Sequence, residues 1–278
     1  MRFIARVCTT ASLAALIAHQ GIAQSAPAAF EVVSIKPRVG ESTIGPARPA
    51  APDRYDDPDT TLHFLIRWAY DLFDFELVGG PGWLDVKRWE ISAKAPAPVA
   101  RGAMRPLVRR MLADRFALKA HMETRELPIY ELVLARSDAR LGPKIKRAAV
   151  DCTPFLNGLR PMQESPRDSD DLPLCSAGAS FSSSLLTPRL NGQPLAAGLI
   201  TFLQANLQRR VVDKTGLTGN YDIELSYIDE TLFRKGVGTE DGPSLRTALQ
   251  EQLGMRLESA RGPVEVLVID SVSEPTTN

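Results

Sequence analysis

Twice along this 278-residue chain the same order of hydrophobic patterns occurs, and that repetition limits the available folds more than any other feature. In the first stretch, Asp59 or Thr60 offers a side-chain oxygen to the orphan N–H groups that open a helix. Leu62, Leu65, Ile66, Ala69, Tyr70 and Phe73 follow at helical spacing. Phe75 to Val78 and Trp89 to Ala93 read as strands on either side of the turn Gly79-Gly80-Pro81-Gly82. A second helix is expected from Pro106 to Phe116, with Pro106 in the first turn, where a missing N–H costs nothing. Leu118, Ala120 and Met122 alternate as a strand would, and Pro128 to Ala135 is the expected hairpin partner.

The second stretch runs in the same order. Leu199 to Leu203 with Leu207 gives a helix, Val211-Val212 a short strand, Gly216-Leu217-Thr218-Gly219 a turn and Tyr221 to Leu225 a strand. Leu245, Leu249 and Leu253 match Val108, Leu112 and Phe116 in spacing, and Trp89 falls where Tyr221 falls. Met255 to Leu257 and Val264 to Ile269 then match the two strands expected after Phe116. The predicted fold class is α+β: two tandem helix-hairpin-helix-hairpin repeats joined by an irregular insertion rich in Ser, Gly, Pro and Asp. The expected boundaries are 1–23 for a signal peptide, 24–58 for a strand and a Pro/Gly-rich surface loop, 59–143 for the first repeat, 144–194 for the insertion and 195–272 for the second repeat.

Arg2 and Arg6 precede an apolar run from Val7 to Ala18, and Gly21-Ile22-Ala23 is small at the two positions a signal peptidase reads. A membrane anchor would need about 20 apolar residues, so the pattern predicts cleavage near Ala23, no membrane span afterwards, and a periplasmic or secreted protein. Cys8 lies ahead of the apolar run, a poor place for lipidation. Its removal leaves Cys152 and Cys175, an even pair in a compartment where thiols oxidise. A disulfide between them would close a loop of about 22 residues and stabilise the fold by about 3 kcal/mol, holding an insertion too poor in apolar surface to order itself.

Several chemistries fail on their partners. Lys+Arg and Asp+Glu both number 33, and no basic run forms a nucleic-acid footprint. Lys214-Thr215-Gly216 has the K-T-G form of serine β-lactamases, but no serine in the chain has a lysine three residues later, so the segment reads as a turn. Gly178-Ala179-Ser180-Phe181-Ser182 lacks the final glycine of a nucleophile elbow. After signal removal only His63 and His121 remain, one expected in a helix and one in a strand, which leaves neither a triad base nor a zinc cluster. The Asp residues from Arg54 to Asp59 lack calcium-loop spacing, and the glycines at 79–82 lack a phosphate-loop Lys-Ser/Thr. No metal and no cofactor is called for.

What remains are binding candidates. Trp83 follows a turn and offers an amphipathic ring, with Asp85 and Arg88 beside it for a polar ligand. Carboxylate pairs leave no linear motif, so Asp85, Asp213 and Asp222 stay open as acid-base residues of a hydrolase. The principal expectation is a non-enzymatic envelope module that binds a protein, a peptide or a glycan; a self-associating structural component is the third reading, and the oligomeric state stays open.

Five segments carry a likeness to a known family: Phe30-Glu31-Val32-Val33-Ser34-Ile35-Lys36-Pro37; Ala69-Tyr70 with Gly80-Pro81-Gly82-Trp83; Met111-Leu112-Ala113-Asp114-Arg115-Phe116; Val212 to Asp222; and Val268-Ile269-Asp270. The chain resembles the "soil-associated" exported proteins that soil bacteria carry in many copies. That resemblance implies an extracytoplasmic protein with no catalytic residues to transfer. In some relatives a similar domain is joined to a membrane metallopeptidase of the antibiotic-sensor type, which implies a sensing or binding role.

Overall fold

Strand, more than helix, makes up the described residues. The computed structural model describes residues 29–38, 48–51, 53–99, 104–156, 159–169, 171, 173–175, 177–182, 185–229 and 242–275. The expected signal peptide and much of the expected loop from Arg38 to Pro58 lie outside them.

In chain order the elements begin with β1 (Val32–Pro37), β2 (Arg48–Ala51), β3 (Arg54–Thr61), α1 (Leu62–Tyr70), β4 (Leu77–Gly79), α2 (Trp83–Val86), β5 (Arg88–Lys94), α3 (Met104–Arg115) and β6 (Lys119–Leu134). Then follow β7 (Ile145–Arg147), α4 (Thr153–Leu156), β8 (Ala177–Ser182), β9 (Leu185–Pro194), α5 (Thr201–Leu207), β10 (Val211–Asp213), β11 (Asn220–Glu224) and β12 (Tyr227–Ile228). The last two are α6 (Leu245–Ala248, continued by a wider turn over Leu249–Leu253) and β13 (Met255–Ser271).

Three sheets result, ordered β1-β5-β3-β2, β10-β6-β13-β4 and β12-β9-β11-β7, with β8 on the other side of β9. The first sheet packs beneath α1 and α3. Leu62, Leu65, Ile66 and Ala69 of α1 lie against Tyr55, Ile91 and Ala93 of the strands. Thr61 rather than Asp59 or Thr60 caps α1, accepting the Phe64 N–H at 3.2 Å. The third sheet packs in the same way beneath α5 and α6, with Tyr221 and Ile223 against Leu199, Leu203 and Leu249. Trp89 and Tyr221, matched in sequence, are both buried, one in each core.

The tandem helix-hairpin reading is overturned by the middle sheet. The two hairpins expected after α3 and α6 do not exist. Residues 119–134 form one strand and residues 255–271 another, and the two pair antiparallel along their length, Leu134 opposite Met255 and Ala120 opposite Ile269. Pro128, expected to open the second strand of a hairpin, lies inside β6, and Gly262-Pro263 lie inside β13. The ladder tolerates both prolines for a reason of parity. The Ala135 N–H donates to Gly254 O at 2.8 Å, which makes every second pair from there a hydrogen-bonded one. Pro128 faces Arg261 and Pro263 faces Glu126 at the alternate positions, where the N–H would point away from the partner strand.

Nor are the halves tandem. β4 from the first half pairs parallel with β13, Leu77 opposite Leu267, whereas β10 from the second half pairs parallel with β6, Val211 opposite Tyr130. The expected irregular insertion also contains three strands, and β9 is the strand to which β8, β11 and β12 all pair. The disulfide is present: Cys152 is bonded to Cys175. No helix among the described residues is long and apolar enough to cross a membrane.

Candidate binding groove

The residues singled out around Trp83 separate in space. Trp83 and Asp85 stand on α2, and Arg88 opens β5. Trp83 is half-buried against the first core. Asp85 takes the Nδ1 side of His63, whose Nε2 lies 3.4 Å from Asp74, itself 2.8 Å from Arg67. Arg88 turns elsewhere. Its Nε meets the carboxylate of Asp59, its Nη2 donates to Asp59 O at 3.0 Å, and Arg38 Nε stands 3.5 Å from the same carboxylate. Asp59 is buried, so Arg88 balances a charge that would otherwise be expensive in the interior. Asp85 and Arg88 therefore belong to different ion-pair clusters while Trp83 packs against the core, and the sequence reading did not anticipate Asp59, His63 or Asp74 in those clusters.

The carboxylates named as hydrolase candidates are likewise distributed. Asp213 accepts the Thr215 N–H at 2.8 Å and the Thr215 hydroxyl at 2.7 Å, and Gly216 and Gly219 adopt positive φ, so the K-T-G segment is a turn closed by its own side chains. Asp222 stands on β11 and Asp85 on α2. Among the described residues no three of His, Cys, Asp and Glu gather to hold a metal ion.

A groove of about 810 Å³ opens on the outer face of the third sheet. Strand alternation builds its floor. Ile145, Leu190 and Ile223 point into the second core, and their neighbours Lys144, Lys146, Arg189, Asn191, Asp222 and Glu224 line the groove. Gly178, Ala179 and Ser180 of β8 continue the floor, and Asp168, Pro173 and Leu174 form the facing wall.

That wall is positioned by the disulfide. Cys152 and Cys175 are fully buried with Phe155, and the Cys175 N–H donates to the buried Ser165 hydroxyl at 3.0 Å. Leu174 N–H donates to Pro166 O at 2.7 Å, closing the wall on itself. The bridge is seated on β9 at Gly192, which accepts the Cys152 N–H at 3.1 Å and donates its own N–H to Asp222 at 2.9 Å. Gly192 has φ +61°, and a Cβ there would lie 2.2 Å from Cys152 Sγ, so only glycine fits. One residue thus ties the disulfide, β9 and the groove's Asp222 together.

The floor is charged in both signs. Glu224 receives Lys144 Nζ at 2.5 Å and Arg189 Nε at 3.0 Å, and these two cations hold its carboxyl below the ordinary range. Lys146 is 79% exposed and 3.9 Å from Asp222, a loose pairing. A general acid needs a carboxyl whose pKa is raised, and Glu224 is shifted the other way. The pairs are exposed, so each holds its partners by only about 0–1 kcal/mol, and an incoming ligand can exchange its own charges for them at little cost. The signal for this floor was legible as Lys-Ile-Lys at 144–146 and Asp-Ile-Glu at 222–224; what joins them is sheet pairing across a long sequence separation.

A family model described as "Protein of unknown function (DUF3738)" matches residues 63–272, from the start of α1 to just beyond β13. No curated protein and no solved structure matches the chain.

Proposed function

The chain belongs to this family of proteins of unknown function (DUF3738), and from that premise we propose that it is an exported envelope module whose groove binds an extended polypeptide segment carrying both acidic and basic side chains. The carrying observation is the groove floor, where Lys144, Lys146 and Arg189 interleave with Asp222 and Glu224 beneath a disulfide-held wall. A polyanion would meet Asp168, Asp222 and Glu224, and a polycation would meet the three basic groups; a segment of mixed charge can pair with both. A peptide is favoured over a glycan because a glycan has no charges of its own to exchange with these pairs unless substituted. Export is supported by Arg2, Arg6 and the apolar run that follows, and by a disulfide, a bond that persists in oxidising compartments.

A photo-crosslinking amino acid placed at Lys146, the most open of the groove's paired charges, tests this in intact cells. The expected result is one reproducible envelope adduct whose yield drops about tenfold with Arg189→Glu, a loss of about 1.4 kcal/mol. Adducts of the chain with itself alone, or an adduct indifferent to Arg189→Glu, would remove the groove from the function.

A further inference from the structure

Away from the groove, on the middle sheet, two arginine guanidiniums approach one tyrosine ring. Tyr130 stands on β6 with its ring at the margin of the second core. Arg209 follows the end of α5, where Gln208 takes a left-handed conformation (φ +50°) and turns the chain toward β10. That turn is tied to β6, because the Tyr130 N–H donates to Arg210 O at 2.9 Å. Arg246 comes from the first turn of α6, which Ser244 caps by accepting the Thr247 N–H at 3.2 Å. The Arg209 guanidinium carbon lies 4.6 Å from the Tyr130 ring centre and that of Arg246 4.9 Å from it.

The electrostatics of this trio are unbalanced. A ring face attracts one cation by about 0.5–1 kcal/mol at an exposed site, but two guanidiniums drawn to one ring repel each other. Elsewhere on the surface arginines are matched to acids, as Arg136 is to Asp138, Arg160 to Glu164 and Arg256 to Glu258. Arg209 and Arg246 have no carboxylate partner among the described residues. Strand alternation sends Glu131 and Glu258, the acids nearest to Tyr130 and to Ser259 opposite it, to the other face of the sheet.

We propose that Arg209, Arg246 and Tyr130 form a phosphate-binding site. Two guanidinium forks supply two positive charges and parallel N–H donors, which suit the several anionic oxygens of a phosphate better than a single carboxylate. The phenol hydroxyl adds one further donor. The ring holds both forks in place before the ligand arrives, so little side-chain freedom is lost on binding. The phosphate can be free in solution or part of a lipid headgroup.

The protein labelled with 15N is titrated with inorganic phosphate at constant ionic strength, following the arginine Nε–Hε resonances and the Tyr130 ring. Saturable shifts are expected, with Arg209→Gln and Arg246→Gln each weakening binding about tenfold or more. Non-saturating shifts, or saturation that neither substitution alters, would overturn the site. Should a glutamine variant lose its fold by thermal melting, the Arg→Lys counterparts, which keep the charge and lose the fork, are expected to weaken binding in the same direction. Sedimentation with phosphatidylglycerol vesicles against phosphatidylcholine vesicles then separates the sources. Selective co-sedimentation lost in both variants assigns a lipid headgroup, and saturation by phosphate without co-sedimentation assigns a soluble phosphate.

Discussion

Glu76 shows how one side chain can oppose the fold that contains it. It is buried beside the Phe73 N–H, which it accepts at 2.9 Å, and burial raises its pKa above the ordinary 4.5 while that hydrogen bond and Arg210 act the other way. A carboxyl that binds its proton more tightly folded than unfolded favours the folded state at acid pH. That contribution is full below the unfolded value and is lost as pH rises through the raised folded value. Glu76→Gln keeps an oxygen for Phe73 and removes the charge. Melting temperatures measured across the pH range should therefore show wild type losing stability relative to the variant as pH climbs from about 4.5; parallel curves would show that the burial cost is already relieved. Glu224 has the opposite sign, since Lys144 and Arg189 lower its pKa, and its contribution disappears as pH falls.

Among the elements, the long strands β6 and β13 carry a rule that a single substitution can test. Pro128 sits where its absent N–H would face outward, whereas Leu127, opposite Gly262, occupies a hydrogen-bonded position of the ladder. Leu127→Pro should cost about 1–3 kcal/mol by leaving a ladder acceptor unpaired, and Pro128→Val should change the denaturation midpoint far less. Equal effects would refute the parity assignment. These strands also mark where the sequence stopped being readable. The helices at Leu62–Tyr70 and Met104–Arg115 and the strand at Arg88–Lys94 followed from apolar spacing, because each has one dry face. The middle of β6, from His121 to Glu126, is exposed on both faces apart from a half-buried Arg125, so no alternation of apolar residues was present to find there. The groove was legible only at β11, which was expected as a strand; β7 and β9 lie in the stretch read as an irregular insertion, and the pairing of β7, β9 and β11 is what puts their polar faces side by side.

At the scale of the whole molecule, the disulfide joins stability to binding. Its loss in a Cys152→Ser, Cys175→Ser double variant should lower stability by about 3 kcal/mol. It should also reduce crosslinking from Lys146, because the wall bearing Asp168, Pro173 and Leu174 would no longer be fastened at Gly192. Unchanged crosslinking with lowered stability would show that the floor alone recognises the ligand. The phosphate readout at Tyr130 should be untouched in the same variant, since no part of that trio leans on the bridge.

The exchange of short strands between halves also sets an order in time. β4 has no partner until β13 exists, and β6 has only the three residues of β10 beside it until then. A ribosome delivering about 5–20 residues each second releases β13 last among these strands. Until that moment Leu267 and Ile269 are missing from the first core and Met255 from the second. The chain is thus kept from finishing early: its first half can gather but cannot close until the final strand locks both halves at once.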